Sequence, residues 1–152
     1  MPADCLFCEI VAGRVPATVV RNGERTLAFR DVKPQAPTHV LVVPKEHHDD
    51  LGALAQADPE LLGELFTEAA AVAAAEGLAE PGYRMVVNTG RHGGQTVPHV
   101  HVHVLGGRGL GWPPGWRVPS RTRSRPADGA CANSRTRAGR RASWRRSSGV
   151  AR

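Results

Sequence analysis

From Val97 to Leu105 the chain reads VPHVHVHVL, with valine at 100, 102 and 104 and histidine at 99, 101 and 103. A strict period of two resolves into separate faces only on a β-strand, where successive side chains point to opposite sides. The stretch therefore predicts a strand whose valines enter a core while three imidazoles line an accessible face. At a rise of about 3.3 Å per residue, neighbouring histidines on that face lie about 6.5 to 7 Å apart.

The rest of the chain supplies partners for such a strand. Leu6, Ile10 and Val11, with Gly13 as a stop, predict a short helix over residues 5–13. ATVV and RTLAF flank Asn22-Gly23, which predicts a hairpin closed by a tight turn with positive φ angles. HVLVVP is apolar on both faces and reads as a central strand. Asp58-Pro59-Glu60 combines a capping carboxylate, a first-turn proline and an acid at the positive end of the helix dipole. Leu61, Leu62, Leu65, Phe66, Ala69, Val72 and Ala73 then follow a helical period up to Gly77, which predicts the one long helix. YRMVVN and VPHVHVHVL complete about five strands, separated by the glycine-rich loop TGRHGGQ. The fold class expected is α+β with a five-stranded, mainly antiparallel sheet.

Charge divides the chain at Gly115. Residues 1–115 hold 9 Lys and Arg against 13 Asp and Glu, whereas residues 116–152 hold 11 Arg against one Asp, which together give the net +6. The high isoelectric point thus belongs to the C-terminal segment. Residues 1–115 are expected to form one domain without the basic patch of a nucleic-acid binder. Residues 116–152, almost devoid of aliphatic residues after Val118, are expected to be a disordered Arg-rich extension capable at most of weak, salt-dependent, non-specific contact with nucleic acid. The N-terminus lacks a signal-peptide pattern and no apolar run is long enough for a membrane span. The expectation is a soluble cytoplasmic protein. Three cysteines supply no disulfide framework, and Cys5-x-x-Cys8 suits a metal or reduced thiols.

Three chemistries are open to the histidine row: ligands of a hydrolytic zinc, a general base oriented by its neighbours, or a nucleophile. The loop before it favours work on phosphate. Thr89-Gly90, Gly93, Gly94, Gln95 and Thr96 offer small residues, backbone N–H groups and hydroxyls, and Asn88 adds a neutral donor. The loop lacks the array of carboxylates that usually holds Mg²⁺ beside a phosphate. Two imidazolium ions about 7 Å apart repel by roughly 2.4 kcal/mol at an effective dielectric of about 20, so the row resists full protonation at neutral pH.

HVHVHVL preceded by GGQTV and followed by GGR, together with CLFCEIVAGRVPA, LAFRDVKPQAPTHVLVVPKEH and GYRMVVNTGRHGGQTV, resembles the histidine triad superfamily, and within it the histidine triad nucleotide-binding branch. The resemblance runs from Cys5 to Gly115. It implies a HIT-like fold that dimerises into a ten-stranded sheet, and hydrolysis of purine nucleoside phosphoramidates and related adenylates with no cofactor needed for catalysis. It implies that His101 is the nucleophile, that His103 and His39 support it, and that His99 stands in the network behind. Asn88, Gly94, Gln95, Thr96 and Val97 would meet the phosphate. Asp31 would accept from the ribose hydroxyls, and Phe7, Ile10, Val15, Phe29, Val32 and Leu41 would form the purine slot. Trp112 would lie near the active site, of this chain or of its partner. Some superfamily members hold a structural zinc, for which Cys5, Cys8, His47 and His99 would be the ligands here. A dinucleoside polyphosphate hydrolase and a non-enzymatic nucleotide-binding adaptor are the alternative functions. Pro98 departs from the branch, which commonly has Tyr or His there, and as a residue without an N–H it predicts a strand edge or an altered His99.

Overall fold

The computed structural model describes residues 4–112, so the expectations for residues 116–152 lie outside the described residues. The element order is α1 (Leu6–Val11), β1 (Val19–Asn22), β2 (Thr26–Arg30), β3 (Thr38–Pro44), α2 (Leu51–Ala57), α3 (Pro59–Ala75), β4 (Tyr83–Val86) and β5 (Val102–Gly106). The five strands form one sheet in the order β1-β2-β3-β5-β4, with every neighbouring pair antiparallel. No helix among the described residues is long and apolar enough to cross a membrane.

β3 occupies the middle of the sheet, which explains its apolar character on both faces. On one face Val40 and Val42, with Ala28, Val102 and Val104, pack against Leu61, Leu65, Ala69, Val72 and Ala73 of α3. The spacing of those α3 residues places them on a single stripe of the helix. On the other face Leu41 and Val43, with Leu27 and Phe29, pack against Phe7 and Cys8 of α1. The hairpin between β1 and β2 is looser than the sequence predicts. Its loop is Gly23–Arg25, and Gly23 does not have positive φ. A Cβ at that position would approach Thr26 Oγ1 to 2.8 Å, so a larger residue would require the threonine side chain to shift.

The sequence reading contains no helix over Leu51–Ala57. Asp50 caps this segment by accepting from Ala53 N–H at 2.9 Å, and Asp58 N–H donates to Leu54 O at its end. Asp58 then caps α3 by accepting from Leu61 N–H at 2.8 Å. Leu54, fully buried in the α3-side core, holds α2 in place. A seven-residue helix is too short to be stable on propensity alone, and its single buried leucine leaves little periodicity to read.

The histidine strand also begins later than predicted. β5 starts at Val102, so His99 and His101 precede the hydrogen-bonded ladder. Pro98 has no N–H to give a neighbouring strand, His99 N–H turns back to Val97 O at 2.9 Å, and Val100 N–H is taken by His48 O at 2.8 Å. The alternation nevertheless holds through the turn, with Val100, Val102 and Val104 all in the core. The face opposite is not an open row of imidazoles: His99 is 0% and His101 3% exposed.

Candidate active site

β3 and β5 pair so that Leu41 faces His103 and His39 faces Leu105. His39 and His103 are therefore diagonal neighbours on one sheet face, within reach of long side chains. Their rings meet with His39 Nε2 and His103 Nδ1 at 2.9 Å. The direction of this bond follows from Gln35, whose backbone N–H donates to His39 Nδ1 at 3.1 Å. An imidazole nitrogen that accepts an N–H carries no proton, so neutral His39 bears its proton on Nε2 and donates it to His103 Nδ1. His103 then bears its own proton on Nε2. That atom is buried and has no partner, which leaves an N–H donor in the wall of a cleft.

His101 is fixed by a different partner. Its Nδ1 donates to the backbone carbonyl of His99 at 2.7 Å. A neutral ring so held has its free lone pair on Nε2. Phe7 contacts the ring edge-on with centroids 5.1 Å apart, and His103 lies on another side at 4.9 Å. Burial, reinforced by His101 and His39, pushes His103 down to about 4. Burial also lowers His39, opposed by the charge of Asp31. The His39 and His103 imidazoles are thus neutral at pH 7.

These groups open onto a cleft of about 670 Å³, a size suited to a small organic ligand. Phe7, Ile10, Val15, Phe29, Val32 and Leu41 form its apolar wall, and Asp31, His39, Asn88, Gly94, Thr96, Val97, His101 and His103 its polar side. Asp31 Oδ1 accepts from Lys33 N–H at 2.7 Å and Oδ2 lies 3.4 Å from His39 Nε2. Both carboxylate oxygens keep further lone pairs for a ligand. Leu6, Pro16, Arg30 and Lys33 also line the cleft, beyond the set expected from sequence.

Three expected residues stand elsewhere. His99 does not line the cleft. Gln95 is committed to the protein: its Oε1 accepts from Gly90 N–H at 2.8 Å, and its Nε2 donates to Asp49 O at 2.6 Å and Val97 O at 3.0 Å. Both of its polar atoms are engaged, so it holds the loop after Asn88 in shape and does not line the cleft. Trp112 is 82% exposed and is not part of this chain's cleft wall.

Behind His101 lies a second cluster. Cys5 Sγ is 3.5 Å and Cys8 Sγ 3.6 Å from His99 Nδ1, and Cys8 Sγ is 3.4 Å from His47 Nδ1. Zinc bonds of about 2.3 Å to sulfur and about 2.0–2.1 Å to nitrogen, at a tetrahedral angle, separate S and N by about 3.5 Å. The tautomers also fit. His99 Nε2 donates to Pro44 O and His47 Nε2 to Asp49 Oδ1, both at 2.9 Å, so both rings turn an unprotonated Nδ1 towards the thiols. Outer donors of this kind accompany metal-bound histidine. Without a cation, burial and then the hydrogen bond to Cys5 push the Cys8 thiol up to about 11, and burial pushes His99 down to about 4. Asp31, His39 and His103 are grouped as closely, but a cation on His39 Nε2 would force the ring proton onto Nδ1, against the Gln35 N–H. The Gln35 hydrogen bond therefore disfavours a cation on that trio.

Gln35, Pro44 and Asp49 escape a reading of the sequence because two of them act through main-chain atoms and the third through a partner's unused nitrogen. No side-chain pattern marks such roles.

The HIT domain family model matches residues 12–110. A purine nucleoside phosphoramidase of Escherichia coli is 42% identical over 111 residues, 73% of this chain and 93% of its own length. A 14 kDa zinc-binding protein of Zea mays is 51% identical over 113 residues, 72% of this chain and 87% of its own. The crystal structure of a HIT family hydrolase from Legionella pneumophila superposes with a TM-score of 0.72 at 51% identity, covering 74% of this chain and all of that one. The chain belongs to the HIT domain family.

Proposed function

We propose that this protein hydrolyses purine nucleoside phosphoramidates and related adenylates through a nucleotidyl-histidine intermediate on His101, and that the activity is carried by a domain of residues 1–115. The observation that carries the reading is the 2.7 Å bond from His101 Nδ1 to the His99 carbonyl, which leaves the opposite nitrogen of a cleft-lining ring as a nucleophile. The adenine would lie against Phe7, Ile10, Val15, Phe29, Val32 and Leu41, and the ribose hydroxyls would donate to Asp31. Asn88, Thr96 and the backbone N–H groups of 94–97 would receive the phosphate oxygens.

In the first step His101 Nε2 forms a bond to the α-phosphorus while the bond to the leaving amine breaks, and the amine departs with an added proton. Solvent would supply the proton that the departing amine gains, and the unpartnered N–H of His103, a neutral imidazole held at Nδ1 by His39, would serve as a hydrogen-bond donor in the cleft wall. In the second step water attacks the same phosphorus, the P–N bond to His101 breaks, and AMP leaves. The Escherichia coli relative supports the phosphoramidate over other substrates.

Cys5, Cys8, His47 and His99 would hold a structural zinc, as the donor spacing and tautomers support and as the zinc-binding relative from Zea mays suggests. Its contribution when bound is to clamp α1 to the segment before β5. Free thiols at both cysteines suit a reducing compartment such as the cytoplasm. A homodimer with a continuous ten-stranded sheet would use an edge strand, and β4 is one of the two edges.

Incubating His101→Ala and the unaltered protein with adenosine 5′-monophosphoramidate tests the function. The expected result is loss of turnover by at least about 10³-fold, with an adenylate on His101 detected by mass spectrometry in the unaltered protein alone. Turnover that survives the substitution would falsify the assignment.

A further inference from the structure

The thiol-imidazole cluster and the nucleophile share one residue. His99 gives its side chain to Cys5 and Cys8 and its carbonyl to His101 Nδ1. The ring is 0% exposed and is held at three points, two sulfurs and the Pro44 carbonyl. Two further bonds join the same regions: Val100 N–H to His48 O at 2.8 Å, and Gln95 Nε2 to Asp49 O at 2.6 Å. The loop that carries His47 is thereby tied both to the residue before His101 and to the phosphate-side loop. Residues 99–101 precede the β5 ladder, so no strand pairing holds them.

We propose that metal occupancy at Cys5, Cys8, His47 and His99 sets the orientation of the nucleophile, with His99 as the positioning residue that connects the two sites. The inference rests on the nucleophile and zinc readings above. A cation bound to His99 Nδ1 fixes the ring and with it the carbonyl of the same residue. That carbonyl in turn fixes His101 as the Nδ1–H tautomer and aims Nε2. Without the cation, His99 Nδ1 faces two thiols across 3.5–3.6 Å, contacts far weaker than metal bonds, and the segment before β5 gains freedom. Part of the nucleotide slot, Phe29 and Leu41, stands on β2 and β3, whose ladder involves no metal ligand, and its α1 part is held by the packing of Phe7 on Phe29 as well as by Cys5 and Cys8, so the slot stays formed. Metal loss is therefore expected to lower kcat while sparing nucleotide affinity, which separates this role from that of a general staple.

The test compares full-length protein carrying one zinc with the same protein after chelation and desalting, at a temperature where circular dichroism is unchanged in the zinc-loaded form. Three quantities are read: kcat on adenosine 5′-monophosphoramidate, the Kd of AMP, and the ¹⁵N shifts of the His101 ring. The expected result is an AMP affinity within about threefold, a kcat lowered about 10- to 100-fold as for a small misplacement of a reacting group, and ring shifts that pass from one tautomer to an exchanging mixture. Added zinc restores all three. Unchanged ring shifts with kcat within about twofold overturn the proposal, and so does loss of AMP binding or of the fold along with kcat, which makes the cluster a staple only.

Asp49→Asn gives an independent arm. It replaces the charged acceptor of His47 Nε2–H by a neutral amide oxygen and is expected to weaken zinc binding about 10- to 100-fold, so kcat falls at buffered zinc levels where the unaltered protein is saturated and recovers in excess zinc. A kcat that ignores the difference in occupancy sinks the proposal. Failure of the underlying readings looks different: no zinc uptake for the metal, and undiminished turnover in His101→Ala for the nucleophile.

Discussion

His39 Nε2 donates to His103 Nδ1 across 2.9 Å, and the Gln35 backbone N–H on the far side of His39 fixes the direction of that donation. One main-chain group thus assigns the protons of two side chains and leaves His103 Nε2–H, on a residue that lines the cleft, without a partner. His39→Ala removes the control. The expected consequence is a kcat for the phosphoramidate lowered about 10- to 100-fold, the range of a lost proton-transfer partner, with AMP affinity changed less than about threefold. Steady-state kinetics with a parallel binding titration checks this, and an unaltered kcat would show that the reaction does not depend on the His39–His103 bond.

Acid should unfold the metal-free protein through its buried imidazoles. His99 and His103 titrate at about 4 in the folded chain against an ordinary 6.5, so the unfolded state binds protons first as pH falls. Their contribution is complete above pH 6.5 and is lost progressively between 6.5 and 4. At pH 5 nearly two protons should be taken up on unfolding, a slope of about 2 to 3 kcal/mol per pH unit. Urea denaturation across that range measures it, and a flat profile would contradict the neutral, buried state of both rings.

The sheet face that carries His39 and His103 depends on a core on the opposite face. Leu61 is 0% exposed where α3 meets the sheet, and Leu61→Ala is expected to cost about 3 kcal/mol through lost burial and a residual cavity. Denaturant midpoints give the value. Below the melting transition kcat should be unchanged, because the helix lies on the opposite face from His39 and His103.

Gln95 makes three hydrogen bonds that join the loop after Asn88 to the segment around Asp49. Gln95→Ala is expected to lower stability by about 1 to 3 kcal/mol, since each neutral bond contributes about 1 kcal/mol. It is also expected to raise KM for the phosphoramidate, because Gly94, Thr96 and Val97 would lose their fixed backbone. A KM equal to that of the unaltered protein would show that the cleft holds its shape without the clamp.

Much of this architecture can be read along the chain. The period-two valines at 100, 102 and 104 determine which side of their segment enters the core, and the 3.6 period from Leu61 to Ala73 determines α3, because burial selects faces and faces follow from spacing. The apolar run at 40–43 places β3 at the centre. Cys5-x-x-Cys8 and the three alternating histidines announce thiol and imidazole chemistry by residue type alone, whereas His47 is singled out only through the resemblance to the family. Only the tertiary structure decided where the ladder stops, since Pro98 and the His48 carbonyl together take residues 98–101 out of the sheet. It also decided that His99 turns to the thiols while His101 and His103 turn to the cleft, that α2 exists, and which nitrogen of each ring holds a proton. The physical reason is that these outcomes depend on main-chain N–H and C=O groups brought together from distant positions, at Gln35, Pro44, His48 and His99. Such groups are the same in every residue, so a sequence carries no mark of which one will be used.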